Sequence, residues 1–388
     1  MVSLIIKLFI KENGNTDDPD VRRAYGTVSG VVGIILNIFL FALKYIAGAV
    51  SGSIAIISDA FNNLSDAGSS VITLLGFKLS AAKPDREHPY GHGRMEYISG
   101  FIVSLIILLM GFELGKSSIE KIITPRPIET GTLSFVILVA SILIKLYMFL
   151  YNSRIAGKIN SSAIKATALD SISDSIATTV VLVAMLVMKR TGVMIDGWCG
   201  ILVALFIFRS GVGVAKDTLG LLLGHGPSPE LVENIKHIVL AHKEIIGIHD
   251  LIVHDYGPGR RMISLHGEVS GNGNMIKLHD IIDGIEYELR EKLGCEAVIH
   301  MDPIDVDDEK TMEMNKTVSK LAKSVDERLT IHDLRLVTGP THTNVIFDVV
   351  MPPDIKMSEK ELRDELSRLL EERCQDCHAV ITVDRSYI

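Results

Sequence analysis

The sequence is short of charge. Only 22% of its 388 residues are charged, whereas 47% are hydrophobic, and its mean hydropathy is +0.32. Soluble domains usually carry more charged and fewer apolar residues, so this composition excludes an ordinary soluble protein. The apolar runs lie almost wholly before residue 223, and the remainder has the composition of a soluble domain.

Three other absences narrow the classes of function. The chain has no excess of positive charge; its formal net charge is −8, which argues against a nucleic-acid partner. Its four cysteines are too few for a disulfide framework of the extracellular kind. Neither His-Glu-x-x-His nor Gly-x-Ser-x-Gly occurs in the apolar runs. A membrane-embedded metal enzyme would need such a set of reacting groups, so we expect no enzyme.

The apolar runs predict membrane helices. About 20 apolar residues cross a bilayer, and six runs are long enough: 25–50, 53–79, 95–117, 132–151, 161–188 and 194–222. We predict a six-helix transmembrane domain over 23–223. Residues 1–22 begin with apolar residues but lack a signal-peptide cleavage site, so we interpret them as a cytoplasmic N-terminal arm.

Positive charge predicts the orientation. Lysines and arginines are frequent in the N-terminal arm and in the second and fourth loops, and absent between the first two runs. Because cytoplasmic loops carry the excess of these residues, both termini are predicted to be cytoplasmic. We therefore expect a multi-pass protein of the cell membrane, with the lipid bilayer as its first partner.

Two membrane runs contain matching polar pairs. Asn62 and Asp66 lie four residues apart in the second run, and Asp170 and Asp174 do so in the fifth, so each pair shares a helix face. Carboxylates in a membrane are costly unless they face water or a cation. Hydrogen bonds between helices would explain a single Asn or Ser better than three carboxylates and an amide. We predict a cation site formed by all four residues.

The ligand atoms of this site indicate the metal. Zinc favours imidazole and thiolate ligands, whereas an oxygen-only set suits harder divalent ions such as Mn²⁺. Mg²⁺ and Ca²⁺ share that preference, so oxygen ligands alone do not choose among hard ions. We predict Mn²⁺ as the substrate, with Fe²⁺ close behind and Zn²⁺ or Cd²⁺ as alternatives.

A second candidate metal site lies in the predicted second loop. Asp85, His88 and His92 have a spacing compatible with a surface metal site. The alternative is a solvated loop whose glycines and prolines set turns, and the sequence leaves both open.

After residue 223 the pattern becomes that of an α/β domain. In 224–308 we predict a helix over 229–242, a hairpin of strands 249–256 and 261–269, a helix over 274–293 and a strand over 296–301. This order predicts a two-layer sandwich. Its landmarks return in 309–388: Ile-His-Asp-Leu at 248–251 and 331–334, Gly-Pro at 257 and 339, and Ala-Val-Ile at 297–299 and 379–381. We predict that 309–388 is a repeat of the first domain.

The first repeat is rich in potential metal ligands. We predict a cytoplasmic metal site from five residues: His249, His266, His279, His300 and Asp302. The alternative is a set of structural histidines. The second repeat has Asp348, Glu361 and Thr382 in place of three of these histidines. It therefore reads as an interaction or stabilising module.

One cysteine motif matches another kind of site. Cys374, Cys377 and His378 fit the attachment pattern of c-type haem. Haem attachment requires export of the segment, whereas the predicted topology keeps it in the cytoplasm. We interpret the cysteines as two thiols at a helix end, with a redox pair or an adventitious metal site as alternatives.

These motifs together resemble the cation diffusion facilitator family. The resemblance extends to about residue 305 and rests on Asp-Ala-x-x-Asn-x-Leu-x-Asp at 59–66, His-Pro-Tyr-Gly-His-Gly-Arg-x-Glu at 88–96, Asp-x-x-x-Asp at 170–174 and His-Met-Asp-Pro at 300–303. It implies six membrane helices, a ferredoxin-like cytoplasmic domain, a homodimer, and divalent metal efflux coupled to proton entry.

The resemblance also bears on the metal. Zinc-transporting members typically have histidine in both membrane half-sites, where this chain has Asn62 and Asp170, which looks like the manganese branch. The expected function is Mn²⁺/H⁺ antiport. The alternatives are a Zn²⁺ or Fe²⁺ exporter of the same family and a membrane metal sensor that does not transport. The tail repeat departs from single-domain members.

Overall fold

The computed structural model describes residues 16, 19–51, 54–124, 132–193, 195–304, 308–339, 341–352 and 354–385. Most of the predicted N-terminal arm lies outside them. The chain divides into two compact units. The first comprises residues up to 225 together with 255–260, and the second comprises 226–254 and 261–388.

The described part of the first unit is built mainly from long helices. Its long helices are α1 (Pro19–Ser51), α2 (Ile54–Ser80), α3 (Met95–Ile123), α4 (Thr132–Ile159), α5 (Ser162–Thr191) and α6 (Asp196–Leu223). Each overlaps one of the six apolar runs of the sequence. Helices satisfy their own backbone hydrogen bonds, which is what an apolar solvent demands.

Length and composition mark membrane-crossing candidates among these helices. Within the described residues, five segments are long and apolar enough: Asp20–Ala47, Met95–Ile123, Phe135–Ile159, Ser162–Thr191 and Gly197–Leu223. Helix α2 is not among them. Its 27 residues span about 40 Å at 1.5 Å per residue, so its length suffices and its polar residues are what set it apart.

Small and polar side chains join the helices of the first unit. The hydroxyl oxygens of Thr73 on α2 and Thr167 on α5 lie 3.1 Å apart. A Cβ atom at Gly100 on α3 would lie 3.0 Å from the backbone of Ala163 on α5. Close approach through small residues is the usual packing of membrane helices, and here it sets α2 and α3 beside α5.

The second unit begins with an α/β sandwich. It contains α7 (Pro229–Leu240), β1 (Ile245–Asp255), β2 (Arg261–Ser270), α8 (Met275–Leu293) and β3 (Cys295–Ile304). The strand order is β1-β2-β3, and β2 runs parallel to β3 with His266 opposite His300. The predicted elements of this domain are all present.

A second sandwich follows in the same unit. It contains α9 (Glu309–Val325), β4 (Thr330–Thr338), β5 (Thr343–Met351), α10 (Glu359–Arg373) and β6 (Cys377–Arg385). Strand β4 pairs antiparallel with β5, and β5 pairs parallel with β6. The register of β4 with β5 shifts between His332 and Arg335. The order of elements equals that of the first sandwich.

Alternation along the strands separates the two faces of the first sheet. Ile263 and Leu265 on β2 are buried in one apolar core with Leu278 and Ile282 of α8. Successive strand side chains point to opposite faces. His266 therefore stands on the face away from α8. The predicted ligands His300 and Asp302 on β3 stand on the same face.

Candidate metal centre

Three carboxylates converge in the first unit. Asp66 on α2 and Asp170 and Asp174 on α5 each offer an oxygen, and these oxygens lie within 4.8 Å of one another. Asp66 and Asp170 are buried, and one oxygen of Asp66 has no hydrogen-bond partner among the described residues. Metal–oxygen bonds of about 2.0–2.6 Å place opposite ligands of one ion about 4–5 Å apart. The cluster has the dimensions of a single cation site.

A buried lysine lies in this cluster. The Nζ atom of Lys145 on α4 lies 2.6 Å from an oxygen of Asp66 and 2.6 Å from an oxygen of Asp174. Its side chain is only 3% exposed. The ammonium donates to both carboxylates and provides the cation that buried carboxylates require. Sequence reasoning misses Lys145, although one lysine within an otherwise apolar run was a visible signal.

A cavity of about 350 Å³ adjoins the carboxylates. Asn62 lines it beside Asp66 and Asp174, but Asn62 is exposed. A second ion pair lines it too, because Nζ of Lys44 on α1 lies 2.8 Å from Oδ2 of Asp59. The structure thus brings together the three predicted aspartates and places the predicted Asn62 in the lining of the adjoining cavity. It adds Lys44 and Lys145.

The loop between α2 and α3 gathers its three predicted residues. Oxygens of Asp85 lie 3.5 Å from Nδ1 of His88 and 3.5 Å from Nε2 of His92. The backbone N–H groups of His88 and Glu87 donate to Asp85. The first of these bonds is the main reason that the pKa of Asp85 lies below its ordinary value. A ligand at this position stays ionised and available to a metal.

A histidine cluster lies on the open face of the first sheet. Nδ1 of His266 lies 2.8 Å from Oδ2 of Asp302, and Nε2 of His249 lies 3.2 Å from the same oxygen. Nε2 of His300 lies 3.1 Å from the other oxygen of Asp302. The rings of His266 and His300 are 4.8 Å apart. Three predicted histidines therefore converge on the carboxylate of Asp302, so four of the five predicted ligands lie together.

His279 is set apart from this cluster. It lies on α8 with its side chain 70% exposed, and its Nδ1 atom is 3.5 Å from Asp283 one turn along the helix. Helix α8 packs on one face of the sheet, whereas His266 stands on the other. The structure thus does not bring His279 to the other four predicted ligands of the chain, and its role as a ligand stays a prediction.

The two cysteines of the haem-like motif are bonded to each other. Cys374 ends α10 and Cys377 begins β6, and a disulfide joins them. The expectation of two thiols at the helix end is corrected in this respect. A disulfide leaves neither sulfur as a thiol for attachment of a haem.

Comparison with known families decides the class of the protein. The family model of the cation efflux transmembrane domain matches residues 30–223, and that of the cation efflux protein cytoplasmic domain matches residues 227–304. The chain belongs to the cation efflux family. The predicted resemblance to the cation diffusion facilitators is confirmed at this level.

Curated relatives of this cation efflux protein agree. It is 33% identical over 276 residues to an uncharacterized transporter of Methanocaldococcus jannaschii, covering 71% of this chain and 97% of the relative. It is 26% identical over 269 residues to the cation-efflux pump FieF of Shewanella oneidensis, covering 69% and 90%. It is 26% identical over 284 residues to the manganese efflux system protein MneS of Bacillus subtilis, covering 72% and 96%.

Family membership fixes the coarse function. As a cation efflux protein, the chain is a multi-pass membrane transporter of divalent metal cations and not an enzyme. The carboxylate cluster lies within the matched transmembrane domain and the histidine cluster within the matched cytoplasmic domain. The second sandwich lies beyond residue 304, where the matched ranges end.

Proposed function

We propose that the protein exports Mn²⁺ from the cytoplasm across the cell membrane in exchange for protons, with Asn62, Asp66, Asp170 and Asp174 as the transport site. The observation that carries the proposal is the cluster of three carboxylates with an ammonium already bound among them. Oxygens that hold one cation in the interior of the helices can hold another in its place.

Charge favours a divalent substrate. Once the ammonium of Lys145 withdraws, three ionised carboxylates carry three formal negative charges, and a divalent ion offsets more of that charge than a monovalent ion does. Protons neutralise the same oxygens when the metal leaves. Metal and protons therefore compete for one site, and that competition couples their movements.

The resident ammonium gives this exchange a third participant. Lys145 occupies two of the oxygens that a metal would use, so metal entry requires its side chain to withdraw. After release the ammonium returns and covers the buried charge. Alternating access would come from rocking of helix groups around the site, as in other transporters.

The ligand atoms favour manganese. Carboxylate and amide oxygens suit Mn²⁺, whereas Zn²⁺ prefers nitrogen and sulfur. MneS, which aligns with this chain over 96% of its own length, is named as a manganese efflux system protein. Export of Zn²⁺, Fe²⁺ or Cd²⁺ by the same route is the alternative within the family.

Helix α2 is proposed as the sixth membrane span. A transport site must face the pathway, and polar residues facing a pathway lower the hydropathy of their helix. An even number of spans keeps both termini on one side, and the positive charge of the N-terminal arm and second loop supports the cytoplasmic side.

Two cytoplasmic metal sites are proposed beside the transport site. His249, His266, His300 and Asp302 form one, supported by their convergence on the open face of the sheet. Asp85, His88 and His92 form the other, supported by ligand atoms within 4.8 Å of one another. Occupied cytoplasmic sites would make the protein responsive to metal, which is the ground for the alternative of a non-transporting sensor.

The second sandwich is proposed to be a repeat of the first. The two share one order of elements, and His332 and Asp333 occupy the positions of His249 and Asp250. Both aspartates have a positive φ, 50° and 54°, a backbone state that non-glycine residues rarely adopt. We further propose a homodimer, as the resemblance implies.

Metal uptake by sealed vesicles tests the function. We would reconstitute the full chain and measure uptake of Mn²⁺, Zn²⁺, Fe²⁺ and Cd²⁺ side by side, with a pH-sensitive dye inside. The proposal expects Mn²⁺ to move fastest, with protons moving oppositely. Metal binding without uptake would favour the sensor, and uptake without proton movement would contradict antiport.

A further inference from the structure

The two sandwiches of the second unit meet at a pair of stacked histidines. The rings of His249 on β1 and His332 on β4 lie 4.2 Å apart, with 23° between their planes. Their side chains are only 7% and 5% exposed. Two imidazoles from separate sandwiches are thus buried against each other.

The carboxylates around this pair are arranged reciprocally. Each histidine faces an aspartate of its own hairpin strand: Nδ1 of His249 lies 3.4 Å from Asp250, and Nδ1 of His332 lies 3.5 Å from Asp333. Each Nε2 atom also faces the other sandwich. His249 Nε2 lies 3.6 Å from Asp333, and His332 Nε2 lies 3.8 Å from Asp250.

The third strands complete the same pattern. Asp302 of β3 lies 3.2 Å from Nε2 of His249, and Asp384 of β6 lies 3.6 Å from Nε2 of His332. The arrangement has approximate two-fold symmetry, in which each sandwich supplies one histidine and two carboxylates. Such a surface is self-complementary, as at a two-fold interface between identical subunits.

Three of the four ring nitrogens of His249 and His332 lack hydrogen bonds within the part of the chain that the structure describes. Nε2 of His249 and both nitrogens of His332 are buried without a hydrogen-bond partner among the described residues. An unsatisfied buried polar group is costly, and such groups in native structures commonly mark an ion or a functional site. The three nitrogens therefore point to a missing partner.

The distances fit ligands around an ion. Metal bonds of about 2.0–2.2 Å to nitrogen and oxygen place neighbouring ligands of a tetrahedral site about 3.3–3.6 Å apart. The four nitrogen–oxygen distances between these histidines and Asp250 and Asp333 are 3.4–3.8 Å. The two that meet at Asp250, from Nδ1 of His249 and Nε2 of His332, lie near the ligand spacing of one tetrahedral ion.

The local charge also favours a cation. Asp302 and Asp384 lie beside the same two rings as Asp250 and Asp333, so four carboxylates crowd one pair of imidazoles. Crowded carboxylates of this kind are relieved by a bound divalent ion.

We propose that a divalent transition-metal ion of the kind that imidazole prefers, such as Zn²⁺, binds between the two sandwiches. His249, His332 and Asp250 hold it, because each offers a ligand atom within 4.8 Å of the others, and His249 is shared with the proposed cytoplasmic site. The ion clamps the second sandwich onto the first. This site goes beyond the transport function and requires residues of the tail.

Zinc binding to the full chain tests the clamp. We would measure bound Zn²⁺ per chain by equilibrium dialysis, and the Zn²⁺-dependent rise in Tm, for wild type and His332→Gln. The matched control is His378→Gln, which removes an exposed histidine of the same sandwich. We expect His332→Gln to lose one zinc ion per chain, or to bind it about tenfold or more weakly, whereas the control behaves as wild type.

A second variant guards against misfolding. Asp250→Asn preserves the size of the side chain, removes the charge of a proposed ligand and should also weaken zinc binding. Unchanged zinc number and affinity in both variants would overturn the proposal. The proposal would also be overturned if acidification raised Tm as much as Zn²⁺ does and neither variant lost zinc. That result would show that His249 and His332 pack in a proton-dependent way without binding a metal. Because the readout is binding, failure of Mn²⁺ flux would leave this result intact.

Discussion

The carboxylate cluster of the first unit and the histidine cluster of the second are built from different chemistry. In the first, three aspartates surround a lysine ammonium at 2.6 Å. In the second, the imidazoles of His249, His266 and His300 lie 2.8–3.2 Å from oxygens of Asp302. One cluster already holds a cation of the protein itself, whereas the other presents nitrogen ligands without one.

This difference suggests different residence times for a metal. A metal entering the carboxylate cluster must displace Lys145, which lowers its net affinity and helps its release. A metal at the histidines displaces no lysine and gains imidazole ligands. We therefore assign passage of the substrate to the first cluster and longer-lived binding to the second.

The largest expected effect is loss of transport. Asp66→Ala and Asp174→Ala each remove a ligand charge. We expect Mn²⁺ flux into vesicles to fall about 100-fold or more, because loss of a group that only supports a metal ligand already costs about 10–100-fold in metal affinity or activity. The control is Asp217→Ala, because Asp217 pairs with Lys165 on the surface and such pairs contribute little. Normal flux in either site variant would remove the assignment of the transport site.

Replacement of Lys145 should change Mn²⁺ affinity and protein stability in opposite directions. Lys145→Gln leaves the carboxylates without their cation, so we expect the metal-free protein to lose about 3–5 kcal/mol and Mn²⁺ to bind more tightly. Thermal unfolding with and without Mn²⁺ measures both effects. Lys165→Gln, a surface lysine variant, should behave as wild type. If Mn²⁺ raises the Tm of Lys145→Gln no more than that of wild type, the displacement mechanism is wrong.

Exchange of ligand type should move selectivity. Asn62→His combined with Asp170→His gives each half-site one imidazole, and we expect the ratio of Zn²⁺ to Mn²⁺ uptake to rise. The shift can be partial, since surrounding groups are not rebuilt for zinc. Asn62→His alone serves as the control and should move the ratio less. A ratio that does not change would place selectivity elsewhere.

The smallest expected effect on flux comes from the cytoplasmic histidines. His266→Ala with His300→Ala should weaken metal binding to the second unit while flux through the carboxylates continues. Calorimetry on the full chain measures the affinity. His279→Ala is the matched control, because His279 lies on the other side of the sheet, and it should leave affinity unchanged. Unchanged affinity in the double variant would make these histidines structural.

Local sequence patterns predicted the helices and strands, and they predicted the aspartates of the proposed transport site. Apolar runs indicated α1 to α6, and alternation with turn residues indicated the first sandwich. The spacing of Asp170 and Asp174 placed them on one helix face, and Asp66 belonged to a matching pair. These features depend on neighbours within one or two turns, which a sequence displays directly.

Contacts between distant segments could not be predicted in the same way. Lys145 meets Asp66, 79 residues away, and nothing near Lys145 indicates that partner. His332 was predicted to be the counterpart of His249 in a repeat, but its stacking on His249 depends on how two sandwiches pack. The pattern also did not reveal which face of the sheet the helix of His279 covers.

The central claim is that passage of metal and longer-lived binding use separate clusters. The most direct test measures Mn²⁺ flux and bound Zn²⁺ per chain in the same preparations of Asp174→Ala and of His266→Ala with His300→Ala. The account predicts that Asp174→Ala loses flux and keeps zinc bound by the second unit, and that the histidine variant keeps flux and binds zinc more weakly. Loss of both properties in both variants would contradict it.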